Sequence, residues 1–199
     1  MRSKDIKFLD EDHSYWVDGQ RIASVTQMID AVYPSKGKEY YTEDSRQRGR
    51  AVHLATEYYD KGILDESTVH ERVVGYLNAY KKAKAELCLN IHPEDIEIRV
   101  FHRGLNVCGM IDKLDRTTKT LIDIKTGIPK DEDYIQTGGY IVSLEEFDYQ
   151  KRLILYLNKN GNYKCDWCSK PERINDIRDF ISINQIFNRG LVNERFHIG

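Results

Sequence analysis

Apolar residues along this chain recur with period 2 in short runs and every three or four positions in longer ones, so strands and helices are interleaved. Ser14 to Val17 and Gln20 to Ala23 flank Asp18-Gly19, the dipeptide that a two-residue type I′ hairpin favours. A short helix is predicted to follow as far as Val32 and to stop ahead of Pro34, with Ser35 to Lys38 as a loop. Glu43 to Asp60 carries the next helical pattern, ended by Gly62. Its inward stripe is predicted as Ala51, Leu54, Ala55 and Tyr58, and Arg46, Arg50, His53 and Glu57 line an adjacent face. Thr68-x-x-Glu71 reads as a capping box opening a helix to about Leu87, with Val73, Leu77, Tyr80 and Leu87 inward.

Asp95 to His102 alternates as a strand, with Glu97 and Arg99 on one face. Asp131 to Glu146 reads as a helix that places Gln136 and Tyr140 one turn apart. Gly138-Gly139 within it costs about 1 kcal/mol per glycine relative to alanine. That cost points to close packing on a sheet or to a ligand backbone approaching closely. Lys151 to Leu157 and Asn162 to Asp166 form a second hairpin around Asn160-Gly161, and Glu172 to Asn188 closes the chain as an amphipathic helix. The expected architecture is one α/β domain over 1–199, a mixed sheet flanked by helices. An N-terminal hairpin (about 10–25) and a C-terminal hairpin-helix extension (about 150–199) complete it.

Between these elements lies the hairpin of Val107 to Leu114 and Thr120 to Thr126. Alternation puts Leu121, Asp123 and Lys125 on one face and Ile122, Ile124 and Thr126 on the other. A turn at Thr117-Thr118 makes facing positions sum to 235, which sets Asp112 opposite Asp123. Facing residues have Cβ atoms roughly 4.5–5.5 Å apart, and like charges there repel. Two carboxylates and a lysine on one face call for a cation, and a hard divalent metal prefers such oxygen ligands. An ordinary solvated hairpin edge can also carry Asp-x-Lys, so the surrounding residues decide.

The composition narrows the partners. With 40% hydrophobic and 31% charged residues and a net charge of −2, the chain has no general basic coat. Nucleic-acid contact would need a local positive patch, for which Arg46, Arg48 and Arg50 are the candidates. No apolar run approaches the roughly 18 residues of a membrane span, and no signal-peptide pattern opens the sequence. Four cysteines without a secretory signal suggest reduced thiols and a cytoplasmic setting. Cys165-Asp-Trp-Cys168 is a lone CxxC with no second close pair to complete a four-ligand site, so it reads as structural or incidental.

In order, the chain presents a helix with Arg48-Gly-Arg-Ala-Val-His53, a strand, then Gly109-x-x-Asp112, Asp123-Ile-Lys-Thr-Gly127 and Gln136-x-x-x-Tyr140. This order resembles the PD-(D/E)XK nuclease superfamily, within it the RecB-like branch common among phage-encoded exonucleases. The resemblance covers residues 48 to 140. His13-Ser-Tyr-Trp-Val-Asp-Gly19 with Ser24-Val-Thr26 also looks like the opening of those phage proteins.

The resemblance implies a restriction-endonuclease-like core and a Mg²⁺- or Mn²⁺-dependent DNA exonuclease of phage or bacterial DNA recombination. Asp112 and Asp123 would be metal carboxylates, the carbonyl of Ile124 a further ligand, and His53 the residue completing the shell. Lys125 matches the lysine that positions or activates the attacking water. As a cation it is a poor base, so orienting water and stabilising charge suits it better. Gln136 and Tyr140 match the helix bordering DNA, where a glutamine amide can reach phosphate or base and a tyrosine ring can stack. Tyr140 packing beside Ile141 and Leu144 is the structural alternative. Glu57 and Glu97 are secondary candidates for a second metal, or plain salt-bridge partners. Some relatives hold an iron–sulfur cluster through four cysteines, three near the C-terminus. Only Cys165 and Cys168 stand there, so no cluster is expected. DNA is the expected partner, with a recombination or single-strand-binding protein beside it. The rivals are an endonuclease using the same site and a non-catalytic DNA-binding or assembly subunit.

Overall fold

The computed structural model describes residues 6–9, 13–33, 42–144, 149, 151–168 and 174–190. Among the described residues the strands form two sheets. The larger has the order β4 (Ile91–His102), β5 (Val107–Asp115), β6 (Thr120–Lys125), β7 (Lys151–Leu157) and β8 (Tyr163–Trp167). All its neighbours are antiparallel except β6 and β7, which run parallel. A parallel step needs a crossover, and α4 (Asp131–Leu144) supplies it.

Alternation along β6 divides the core. Ile122 and Ile124 pack with α2 (Glu43–Asp60), α3 (Glu71–Glu86) and β7, while Leu121 packs with α1 (Val25–Val32), α4 and α5 (Ile174–Asn188). Asp123 and Lys125 therefore fall on the α4 side. The register sums to 235 as far as it is paired, through Asp115↔Thr120, Leu114↔Leu121 and Lys113↔Ile122. Asp115 fixes the turn by accepting from the backbone N–H groups of Thr117 and Thr118.

The smaller sheet consists of β1 (Lys7–Leu9), β2 (Ser14–Val17) and β3 (Gln20–Ile22). Asp18 and Gly19 both have positive φ, as a type I′ turn requires. This sheet packs through Ile6, Tyr15, Val17 and Ile22 onto Phe101 of β4 and Cys108 of β5. The Cys108 N–H donates to Ala23 O at 3.0 Å.

Several expectations are revised. In α2 the buried residues are Val52, Ala55 and Thr56, whereas Ala51 is exposed and Leu54 and Tyr58 are 46% and 38% exposed. The helix is rotated so that Val52 and Thr56 meet the core. The capping box at Thr68 is absent: Thr68 ends a single 3-10 turn, Glu66–Thr68, and donates its hydroxyl to Asp65 O. His70 caps α3 instead, its Nδ1 accepting from the Arg72 N–H. β4 begins at Ile91, ahead of the predicted Asp95. β7 and β8 are no appendage to the sheet, since β7 is an interior strand with Leu153, Ile154 and Leu155 fully buried. Loop 35–38 and the start of the closing helix at Glu172 lie outside the described residues.

Gly138 and Gly139 serve close packing, but against helices. A Cβ on Gly138 would stand 3.0 Å from the Asp176 backbone of α5, and one on Gly139 2.8 Å from Phe180 and Val25. No helix among the described residues is long and apolar enough to cross a membrane.

Candidate metal centre

The register builds a row of carboxylates. Ile96↔Lys113 and Ile98↔Ile111 bracket Glu97 against Asp112 across β4 and β5. Carried one step past Lys113↔Ile122, the β5–β6 register sets Asp112 against Asp123. Three acids thus lie across three adjacent strands, where directly opposed like charges destabilise. Glu97 has φ +52, a conformation that costs a non-glycine residue about 1–3 kcal/mol and that clusters at functional sites.

His53 joins this row from α2. Its Nδ1 lies 3.4 Å from Asp112 Oδ1, an ion-pair distance long for a hydrogen bond. Ligand atoms of His53, Glu97 and Asp112 lie within 4.8 Å of one another, close enough to share one cation. Asp123 is outside that trio. Its Oδ2 is buried and lies 2.7 Å from Lys125 Nζ in an ion pair. The Ile124 N–H donates to Asp112 Oδ2 at 2.6 Å, tying the two acid-bearing strands together. Lys125 Nζ also donates to Gln136 Oε1 at 2.9 Å.

The protonation tendencies follow from this crowding. Burial, with the Asp112 charge adding to it, pushes the Glu97 carboxyl up to about 7. Burial raises Asp123 to about 6, with Lys125 opposing and Asp112 reinforcing the rise. Burial also works against the charged forms of Asp112, His53 and Lys125, but their neighbours win. His53 and Lys125 hold Asp112 below its ordinary value, Asp112 raises His53, and Asp123 and Asp112 raise Lys125. Lys125 therefore stays cationic.

A cleft of about 600 Å³ opens onto the trio. His53, Glu97, Asp112 and Tyr140 line it, with Gly49, Arg50, Leu54 and Glu57 from α2 and Phe8, His13 and Tyr15 from the small sheet. Asp123 and Lys125 are not on its wall. Arg50 makes no ion pair among the described residues, whereas Arg46 pairs with Glu43, Arg48 with Asp44, and Glu57 with Lys61. Of the three candidate arginines, Arg50 is the one on the cleft wall, and it has no ion-pair partner among the described residues.

Tyr140 does not offer its ring for stacking. It is 6% exposed, and Gly109 leaves room for it: a Cβ there would stand 2.9 Å from the ring. Its hydroxyl accepts from Gln136 Nε2 at 2.7 Å. Gln136 Nε2 also reaches Thr26 Oγ1 at 3.3 Å, so this glutamine is clamped between Lys125, Tyr140 and α1. Cys165 is exposed in the middle of β8, and Cys168, just after the strand, is buried.

The donor set suits a hard or borderline divalent cation. It offers carboxylate oxygens in excess, one imidazole, and a buried oxygen of Asp123 that lacks a hydrogen bond. From sequence Glu97 is a secondary candidate, because the pattern within β4 alone does not set the β4–β5 register that places it against Asp112. Positions 102 and 107 closing a short turn carried that signal.

No protein-family model matches this chain, and no curated protein matches it. Among solved structures, the crystal structure of a phage related exonuclease from Haemophilus somnus 129PT aligns with a TM-score of 0.43 at 12% identity, covering 87% of this chain and 96% of that one.

Proposed function

We propose that this chain is a metal-dependent DNA nuclease of the PD-(D/E)XK type, acting as an exonuclease and using Mg²⁺ or Mn²⁺. The observation that carries the reading is the row Glu97–Asp112–Asp123 with His53 and Lys125 beside it, its His53, Glu97 and Asp112 members lining an open cleft. Asp112, His53 and Glu97 are the residues that would hold the ion, with Asp123 and the Ile124 carbonyl completing the set. A divalent ion there would neutralise charge on a phosphoryl oxygen and make water nucleophilic near neutral pH. Lys125 remains protonated and donates, so it orients the attacking water or stabilises charge on the scissile phosphate. Asp123 and Gln136 hold that ammonium in place from two sides. Arg50 supplies cationic charge at the cleft for the DNA backbone. One nuclease domain in a DNA recombination or processing role follows from this reading.

The test is cleavage of end-labelled linear DNA and closed circular DNA, with Mg²⁺, Mn²⁺ or excess chelator. Degradation of the linear form alone, lost in chelator, is expected. Full activity in chelator would reject the metal. Cutting of the closed circle would favour an endonuclease, and DNA binding with no cleavage in any condition a non-catalytic subunit.

A further inference from the structure

We propose that the small N-terminal sheet is a stacking wall, on which an unpaired nucleobase beside the scissile phosphate lies against Phe8 and His13 and faces Leu54. The inference rests on the nuclease reading and adds what the site grips besides phosphate.

The cleft has two chemically distinct parts. His53, Glu97 and Asp112 make one, while Phe8, His13 and Tyr15 from β1 and β2, with Leu54 from α2, make the other. Within the second part the residues divide by burial. Tyr15 is 6% exposed and anchors the sheet among Ile6, Val17, Ile22, Phe101 and Cys108. Phe8 stands directly opposite Tyr15 in the register, with ring centroids 4.9 Å apart, yet is only half-buried. The exposed His13 ring meets Phe8 edge-on at 5.6 Å. Leu54 is an apolar side chain, 46% exposed, on the wall of a charged cleft. The fold gains little from leaving it there, whereas a flat apolar ligand would cover it.

On the nuclease reading, a ligand that meets the His53–Glu97–Asp112 trio and an aromatic wall within one cleft joins phosphate to a flat ring, as a nucleotide does. Cationic groups sit beside both parts, with Arg99 5.7 Å from the Phe8 centroid and Arg50 on the wall. A cleft of about 600 Å³ is in the small-ligand range of roughly 300–1,000 Å³. That volume is enough for a single nucleotide drawn out of pairing. Aromatic stacking is indifferent to base identity, so the wall would favour unpaired ends without reading sequence.

The experiment uses single-stranded oligonucleotides, either intact or with one abasic position scanned through the terminal four nucleotides. Cleavage in Mg²⁺ and affinity in Ca²⁺ are measured for wild type, Phe8→Ala and Leu54→Ala. The expected result is that removing one base costs wild type about tenfold at a single position. Each variant should lose about tenfold on the intact strand and almost nothing further on that abasic strand. Leu54→Ala keeps the test decisive if Phe8→Ala fails to fold, since Leu54 is half exposed. Equal losses on intact and abasic strands, or an abasic scan without effect on wild type, would overturn the stacking wall and leave the nuclease reading standing. Failure of wild type to cut any DNA in Mg²⁺ or Mn²⁺ would remove both.

Discussion

Asp112 and Lys113 are consecutive residues of β5, and both reach groups on α2, yet they end in opposite kinds of charge cluster. Lys113 is 1% exposed, and its Nζ donates to Asp60 at 2.6 Å and to Thr56 O at 3.2 Å. Asp60 also accepts from Lys84 and from the Tyr80 hydroxyl, so that cluster is closed, with its acid surrounded by donors. Asp112 instead faces Glu97 and Asp123, with His53 and Lys125 as its main cationic neighbours among the described residues and Lys113 acting on it from the other cluster. Burial and acid crowding there push Glu97 to about 7 and Asp123 to about 6. Buried charge alone does not mark a site. Charge of one sign left over beside an open cleft is what separates the second cluster from the first.

The largest effect that tests this contrast is on turnover. Asp123→Asn is expected to lower cleavage by about a thousandfold or more, the scale of losing one well-placed electrostatic group. Its melting temperature should change little, because the repulsion removed from Asp112 offsets the ion pair lost to Lys125. Lys113→Ala should do the reverse, costing about 3–5 kcal/mol in urea denaturation because Asp60 keeps its buried charge without that partner. Its turnover per folded molecule should stay near wild type. If Asp123→Asn unfolds as readily as Lys113→Ala, the two clusters do the same job and the contrast fails.

A smaller effect sharpens the account within the open cluster. Gln136→Ala frees Lys125 and should lower turnover about tenfold while the metal titration of cleavage stays put. A shifted metal titration would place Gln136 nearer the ion than its contacts imply. Smallest is Glu97→Gln, which removes one acid of an opposed pair and should stabilise the metal-free protein by about 0.2–1 kcal/mol. A loss of stability there would mean that Glu97 is a structural partner of the kind Asp60 is.

Much of this was legible in the sequence where the signal is local. The Asp18-Gly19 turn, the bounds of α2 and the register of β5 on β6 follow from dipeptides, spacing and one turn position. The inward face of α2 did not follow, because Leu54 and Tyr58 are apolar residues outside the core. Val52 and Thr56, which fill the core, give a weaker periodic signal. The interior place of β7 depends on parallel pairing with β6 across a helix, which no local pattern encodes. Of the site, Asp112, Asp123, Lys125 and His53 could be named from motif order. Glu97 was underrated because its position against Asp112 belongs to a register, and its positive φ has no signature in alternation.

The claim that leftover acidic charge makes this a metal centre can be tested without DNA. Calorimetric titration of Mn²⁺ into wild type, Asp112→Asn and Asp123→Asn measures it directly. Wild type should bind Mn²⁺, and Asp112→Asn should weaken that binding by about a hundredfold or more, beyond the 10- to 100-fold that losing a supporting group costs. No Mn²⁺ binding by wild type, or equal binding by all three proteins, would contradict the account.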